Sequence, residues 1–496
     1  MSAEIVIFLL YLISLIIIGS FSLKFTKGIE DFFVASRGLG RWILAFTHEA
    51  SDMSGFLIMA LPGFAYMFGM AGAWMVWVGT TGVILVFALN GITLRRLGEK
   101  YGAITLSDVL EIRYYDKTKH TLRFVSVVII GICSFLYISS QCIAAAKLLE
   151  VAFGFRYSVG VLISGIVTVL YTEMGGMRAV AWNNFFQGMI MIFGISFACI
   201  LTVLAVGGIG NIFNRLNDIN PSLTTPFPNW GMVLMGIGFV LGGGSISYLG
   251  QPHFQMQYLS ARSKRDLADA LVISLVLISL FGLFAFVAGA AGRVLYPEIS
   301  MLPGADNEKI LLHLFRTRFH GILNGLFLAA GLAAIMSSAV AWLLVASSGV
   351  ARDIYQKIIR PDASDKTLLR VSRYATAGIG VLGIIVALRP QSVLWAVQLA
   401  WGGCAQFGPV LVLGMYWKRG TRKAALISLV VGFLVNIGWF LAGWYSIVHQ
   451  AVPGMIIGTL LMVIISLLDK APPPEISYLV EHVRTGRNVA AESLGA

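Results

Sequence analysis

Charge is what this sequence has least of. Asp, Glu, Lys and Arg make up 12% of its 496 residues, half the roughly 25% of ordinary soluble domains. That deficit excludes a conventional water-soluble protein, which at this length would divide into two or three charged-surface domains. Cysteine is scarce too. Cys133, Cys142, Cys199 and Cys404 all lie in apolar stretches without metal-ligand spacing, so they read as reduced, buried thiols. Seven histidines are scattered along the chain. They offer no metal constellation, and no serine, histidine and acidic residue share a catalytic spacing, so the chain reads as no enzyme. The net charge of +12 sits in small clusters between apolar runs. Nucleic-acid binding would want it gathered on one soluble face.

Apolar residues are plentiful: 57% of the chain, with a mean hydropathy of +0.83. Long apolar runs punctuated by short charged clusters predict an all-α polytopic protein of the lipid bilayer. The first run, Ile5 to Leu23, lacks a basic leader and a small-x-small cleavage site, and reads as a retained span. Thirteen spans are expected, near 4–23, 42–68, 72–94, 124–151, 159–172, 180–206, 230–259, 270–294, 321–350, 373–388, 391–416, 424–445 and 450–468. With the N-terminus outside, 28 of the 36 Lys and Arg residues fall on the inner side, Arg37, Arg95, Arg96 and Arg262 among them. Retention of basic residues at the cytoplasmic surface therefore predicts N-out, C-in. Residues 296–320 form the longest polar stretch between spans, expected as an outer loop with a short helix around Glu308 to Phe315. The tail after Lys470 opens with three prolines and is expected to be a partly ordered cytoplasmic extension.

Two spans are interrupted in a matching way. THEASDMSGFLIMALPG, residues 47–63, carries His48, Glu49, Ser51, Asp52 and Ser54 in mid-span. LGGGSISYLGQP, residues 241–252, combines glycine, serine and a following proline. Burying a bare carboxylate costs several kcal/mol, so such residues need a structural or functional reason. Backbone that leaves helical geometry inside a membrane frees carbonyls to hold a cation. Paired broken helices in corresponding positions point to a secondary transporter with an inverted repeat. The halves would be 42–206 (spans 2–6) and 207–416 (spans 7–11). Residues 1–41 would hold the first span and a cytoplasmic loop, 417–470 the last two spans and 471–496 the tail. Span nine adds a third polar patch with adjacent Ser337 and Ser338. Either these hydroxyls bond back to their own helix, or both reach one small hard cation lying between helices.

Six stretches in order carry a resemblance: the N-terminal YLISLIIIGSFSLKFTKGIEDFFVASRGLG, then ASDMSG with LPG, YTEMGGMRAVAWNNFFQG, GQPH, LAAIMSS and AWGGCAQFGPVLVLGMYWKRGTRKAA. In these the chain resembles the sodium/solute symporter family, nearest its bacterial sodium/proline branch, with some likeness to the pantothenate branch. The resemblance implies a LeuT-like core of ten helices in a 5+5 inverted repeat, in a bacterial inner membrane. It implies uptake of a small organic solute, such as proline or a related amino acid, driven by sodium. Carried over by motif, sodium would be held by carbonyls of Ala50, Met53 and Ala334 and hydroxyls of Ser337 and Ser338. Asp52 matches a carboxylate that matters for sodium use, as a nearby electrostatic partner. Ser54 and Gly55 complete the break, and Arg37 matches a cytoplasmic-side arginine that affects transport. Tyr137, Tyr248 and Pro252 match positions around the solute, with Gln251 and the peptide groups of Gly244 and Ser245 as further polar contacts. No nucleic-acid or obligate protein partner is implied.

Three departures stand out. Gly244 replaces a tryptophan of the proline branch, which either enlarges the pocket or lets another side chain refill it. Asn184 stands where an aspartate assists ions along the inward path, and Glu49 replaces a glycine. The last two suggest that a carboxylate has moved from span six to span two, where a proton would join in coupling; Glu49 and His48 facing a solvated cavity is the plain alternative. Rival readings are proton coupling, another solute such as a carboxylate or pantothenate-like compound, and a sensor or channel. A sensor would carry an added signalling domain, and a channel a continuous polar path.

Overall fold

The computed structural model describes residues 3–23, 28–116, 118–173 and 176–486. Lys24, Lys27, Lys117 and Arg487 of the charge argument, Met174 and Gly175 of the YTEMGG stretch, and the tail beyond 486 lie outside the described residues.

Helix α1 (Ala3–Leu23) is followed by the short α2 (Ile29–Val34) and by α3 (Arg41–Asp52), which ends at the first interruption. The chain resumes as a π-helical turn, Phe56–Ala60, leading into α4 (Leu61–Phe68). Gly69, at φ +55°, allows the sharp turn into α5 (Ala73–Val86), which runs through another π-helical turn into α6 (Ile92–Tyr101). A capping box of Thr105 and Asp108 starts α7 (Leu106–Tyr114). Helix α8 (Thr121–Phe153) is 33 residues long and stops at Gly154, whose φ of +71° closes its last turn. Helices α9 (Tyr157–Thr172), α10 (Gly176–Met191), α11 (Phe197–Val206) and α12 (Ile209–Ile219) follow.

Helix α13 (Trp230–Gly238) breaks, and the chain restarts as α14 (Pro252–Leu259). Pro252 occupies the first turn, where its missing N–H leaves no bond unmade. Helix α15 (Lys264–Leu295) is capped by Ser263, whose hydroxyl accepts from the Asp266 N–H at 3.0 Å. Then come α16 (Ile310–Arg318), α17 (Ile322–Ser348), α18 (Asp365–Ala387), and α19 (Val393–Ala405) joined to α20 (Phe407–Tyr416). Helices α21 (Arg422–Leu441), α22 (Ala451–Leu468) and α23 (Pro474–Thr485) end the described chain.

Among the described residues, eleven helical stretches are long and apolar enough to cross a bilayer, and Tyr157–Leu170 is a shorter apolar helix. One of the eleven, Phe56–Tyr101, is 46 residues long and contains the turn at Gly69. Exposure sorts centre from rim. The most apolar window of Ile322–Ile359 is 100% buried, whereas that of α1 is 17% buried and faces lipid with residues such as Ile16 and Ile17. An all-round apolar helix with no exposed face belongs at the centre of a bundle, and α17 is that helix.

Two expectations need adjusting. The loop helix runs from Ile310 to Arg318, preceded by a 3₁₀ turn at Asn307–Lys309, because Asp306 caps that turn through the Glu308 N–H at 3.0 Å. The tail is more ordered than its prolines suggest. Pro474 opens α23, and Ile476, Leu479, Val480 and Val483 recur at helical spacing and are buried.

Candidate ion and solute site

Helix α3 unwinds at Met53, whose backbone (φ −71°, ψ 85°) is no longer helical. The Met53 N–H still donates to the Glu49 carbonyl at 2.8 Å. Four residues on, Leu57 gives its N–H to the Ser54 carbonyl at 3.0 Å, which frees the Met53 carbonyl from the helical ladder. The Phe56 N–H goes to the Ser54 hydroxyl at 3.1 Å, and the Gly55 N–H to Gln141 Oε1 of α8 at 2.9 Å. A Cβ on Gly55 would stand 2.5 Å from the Ala144 Cβ, so only glycine lets α8 approach this closely. Gln141 holds the break open, and sequence reasoning missed it. Its signal was a fully buried amide in the middle of an apolar span.

Ser337 and Ser338 of α17 arrive at the same point. The Ser337 hydroxyl donates to the Ala50 carbonyl across the helix interface and also lies 3.1 Å from the Ala334 carbonyl. Ser338 Oγ lies 3.2 Å from the Ala334 carbonyl and 3.1 Å from that of Ile335. Both serines, Ala50, Met53 and Ala334 are buried. The Ala50 and Ala334 carbonyls thus meet at the Ser337 hydroxyl, and the Ser338 hydroxyl shares the Ala334 carbonyl, all of them uncharged oxygens of the kind that suit a hard cation. Each hydroxyl reaches back to its own helix, and Ser337 also reaches across to Ala50.

The second interruption begins at Gly244 (φ −145°, ψ −61°). The Ser247 hydroxyl donates to the Gly244 carbonyl at 2.8 Å, and Gln251 Nε2 donates to Ser247 Oγ at 3.2 Å. The Tyr248 hydroxyl donates to the Asp52 carboxylate, 2.6 Å from each oxygen, and so ties one broken helix to the other. Asp52, Tyr248, Phe56, Val78 and Trp401 line a cavity of about 30 Å³ between them. That volume admits a water or two.

The remaining sequence candidates separate into groups. Gln251, Pro252 and Ser245 are buried behind the Tyr248 turn, and Ser245 is bonded to Thr81 and to the Val78 carbonyl. Tyr137 is buried, stacked on Trp342 with ring centroids 4.4 Å apart, and its hydroxyl faces Ser54 and Ser338. It therefore stands where the break meets α17. Asn184 Nδ2 donates to Ser51 Oγ at 3.0 Å, one turn before the break. Glu49 and His48 do not face a solvated cavity: both are buried, with His48 Nδ1 3.1 Å from Glu49 Oε1 and His48 Nε2 2.8 Å from the Tyr258 hydroxyl. Phe56, Val78 and Trp401 were not foreseen as wall residues, because apolar side chains in apolar spans carry no signal of their own.

Residues 32–432 match the sequence profile of the sodium:solute symporter family. The chain belongs to that family. Among its relatives, the sodium/proline symporter of Escherichia coli K12 is 33% identical over 477 residues, covering 94% of this chain and 93% of that protein. The osmoregulated proline transporter OpuE of Bacillus subtilis is 33% identical over 478 residues, covering 95% and 96%. In three dimensions the chain resembles a substrate-bound, outward-open sodium-coupled sialic acid symporter with a TM-score of 0.77 at 20% identity, covering 95% and 99% of the two chains. That likeness establishes the fold, an all-α multi-pass membrane architecture with discontinuous helices. The family is one of symporters, and among the described residues no group of His, Cys, Asp and Glu is arranged to hold a metal.

Proposed function

We propose that this family member couples inward movement of sodium to uptake of a small organic solute, proline or a related amino acid. One observation carries the reading: the Ser337 hydroxyl meets the Ala50 carbonyl where α3 gives up its helical bonds, one turn from the Asp52–Tyr248 contact. Sodium is bound by the carbonyls of Ala50, Met53 and Ala334 and the hydroxyls of Ser337 and Ser338. Its arrival replaces the Ser337–Ala50 hydrogen bond with ion–oxygen contacts and fixes α3 against α17. The neighbouring cavity then widens to take the solute between the two broken helices. The names of the relatives support the solute class, since both are proline transporters.

The thirteen crossings, the repeat halves at 42–206 and 207–416, and the N-out, C-in orientation belong to the same proposal. The positive-inside pattern supports the orientation. Coupling requires that sodium and solute each strengthen the other's binding, typically by about 1–3 kcal/mol. A negative interior adds about 2.3 kcal/mol per charge per 100 mV. Ser337→Ala and Ser338→Ala are expected to raise the sodium concentration for half-maximal uptake severalfold in proteoliposomes, with a smaller change in the solute's own half-saturation. A sodium titration indistinguishable from the parent in both variants removes the ion site. Uptake driven by a proton gradient at zero sodium removes sodium coupling.

A further inference from the structure

We propose that the crevice between α1, α8 and α9 is a phospholipid site, with one acyl chain lying against α17 and the lipid phosphate held by Arg156. The proposal rests on the membrane location of the chain and is independent of the symport reading. It starts from the walls. Ile5, Phe8, Leu9 and Leu12 recur at helical spacing on one side of α1 and face Leu149 and Phe153 of α8. With Ile163 and Val167 of α9 they enclose about 370 Å³. The floor is Leu332 and Met336 of the central helix α17, and Met336 immediately precedes Ser337 of the proposed ion site.

The surroundings decide what fills this space. Leu9, Phe155 and Ile163 on its rim are 41%, 42% and 42% exposed, so the crevice opens sideways into the bilayer. Ser164 is the one polar side chain in the lining, and its hydroxyl already donates to the Val161 carbonyl at 3.1 Å. Water inside would find no partner, so the occupant is hydrocarbon. From Ile5 to Leu12 the rise along α1 is about 10 Å. That length lies within one leaflet of a hydrocarbon core about 30 Å thick, so the crevice suits a single acyl chain.

The mouth supplies the charge. Phe153 and Phe155 flank Gly154, the turn that ends α8, and Arg156 follows directly. Phe153 meets Phe8 and Phe155 with ring centroids 5.3 and 6.0 Å apart, an aromatic cluster of the kind that marks a membrane interface. Arg156 is exposed and has no ion-pair partner among the described residues. The charges around it are engaged. Glu150 pairs with Lys309 at 2.9 Å, Glu4 accepts from the Asn324 amide at 3.0 Å, and Arg316 donates to the Val151 carbonyl. Arg156 is therefore free to meet a lipid phosphate, to which a guanidinium gives two parallel hydrogen bonds.

The test uses the purified, delipidated full chain in maltoside micelles, titrated with phosphatidylglycerol carrying a photoactivatable diazirine at one chain end. Labelled residues are mapped by mass spectrometry. Labelling of Leu332 or Met336 is the expected result, because both are buried and a lipid on the outer surface reaches only α1 and α9. Plugging the crevice with Ser164→Trp, or with the smaller Val167→Phe, should cut that labelling roughly tenfold or more at an unchanged unfolding midpoint. Arg156→Gln should raise the probe concentration for half-maximal labelling about fivefold, as for one exposed ion pair. A diacylglycerol probe with the same chains, lacking the phosphate, should show the same deficit. Labels confined to the exposed positions of α1 and α9, or α17 labelled as strongly in both plugged proteins, overturns the site. Diacylglycerol as effective as phosphatidylglycerol, or an Arg156→Gln protein labelled like the parent, overturns the phosphate assignment.

Discussion

The two ends of α15 sit at opposite faces of the bundle, and the two faces are closed by different chemistry. At its C-terminal end, the loop between α15 and α17 is bolted down by one carboxylate. Glu308 accepts from the Ser392 hydroxyl at 2.7 Å and from the Val393 and Leu394 N–H groups, which form the first turn of α19. It also takes Lys147 Nζ of α8 at 2.6 Å, and Asp306 shares the same ammonium at 2.8 Å. Glu308 and Lys147 are both buried. At the N-terminal end of α15 the acceptors are mostly backbone carbonyls, beside an exposed Arg41–Asp269 pair at 2.9 Å. The Leu39 N–H donates to the Ser260 carbonyl at 3.1 Å and the Arg262 N–H to the Leu39 carbonyl at 2.9 Å. Arg37 reaches the Leu259 and Ala103 carbonyls at 3.1 and 3.0 Å, and Arg95 reaches the Ala261 carbonyl at 2.6 Å.

The contrast teaches how each face yields. A buried ion pair that also caps a helix fails as a unit, because removing either charge strands the other. Hydrogen bonds from arginines and amides to carbonyls are lost one at a time, each worth less, and water replaces them readily. The arginine face also stores strain: Ala35, Ser36 and Arg37 are three successive non-glycine residues at φ 48°, 48° and 54°. Each costs about 1 kcal/mol or more in that left-handed region, so this face is held against a spring. Under the proposed orientation the spring lies on the cytoplasmic side, where solute and ion must leave.

The largest effect is therefore expected at the loop face. Glu308→Ala leaves Lys147 with only Asp306 and takes the carboxylate acceptor from the Val393 and Leu394 N–H groups, with Ser392 still capping α19 through the Trp395 N–H. A loss of about 3–5 kcal/mol is expected for breaking such a buried pair, read as a lowered unfolding midpoint in detergent and loss of uptake. A midpoint within a degree of the parent would show that the bolt carries no load. Next comes Arg37→Ala. It removes two charge-assisted bonds to carbonyls, a change of about 2 kcal/mol. The expected result is faster thiol labelling of a cysteine placed at Ser260, with the unfolding midpoint nearly unchanged. Equal labelling rates would break the distinction between the faces. Smaller again is Ala35→Gly, which relieves about 1 kcal/mol of left-handed strain. It should slow labelling at the same position; acceleration would mean that the strain is not released on opening.

How much of this was legible in the sequence follows from the reach of each signal. The breaks at Met53 and Gly244 announced themselves, since a carboxylate, serines or repeated glycines inside an apolar run have no cheap place in an unbroken membrane helix. Ser337 and Ser338 were legible for the same reason. Partners distant along the chain were not. Glu308 finds Lys147 at a separation of 161 residues and Val393 at 85, and nothing local in either segment names the other. Val78 was illegible because a valine in an apolar helix looks the same whether it faces lipid, core or cavity. Glycine at 244 left two outcomes open, a larger pocket or a refilled one, and only the position of α5, whose Val78 methyl stands where a Gly244 Cβ would, decides for refilling.

The smallest effect sharpens the comparison most. Glu30 pairs with Arg37 Nε at 3.4 Å, which on paper makes the arginine face an ion-pair lock like the other. Its side chain is 57% exposed, however, so water and salt screen the attraction, and such pairs contribute about 0–1 kcal/mol. The Glu308 carboxylate has no such screening. The two acids are therefore an internal control for burial, each facing one cation at the end of the same helix. Glu30→Gln is expected to leave labelling at Ser260 and uptake within about twofold of the parent, a change under about 0.5 kcal/mol. If Glu30→Gln instead matched Arg37→Ala, the carbonyl contacts of Arg37 would not be what holds that face. Both closures would then be electrostatic, and the strained turn at Ala35 to Arg37 would need another restraint.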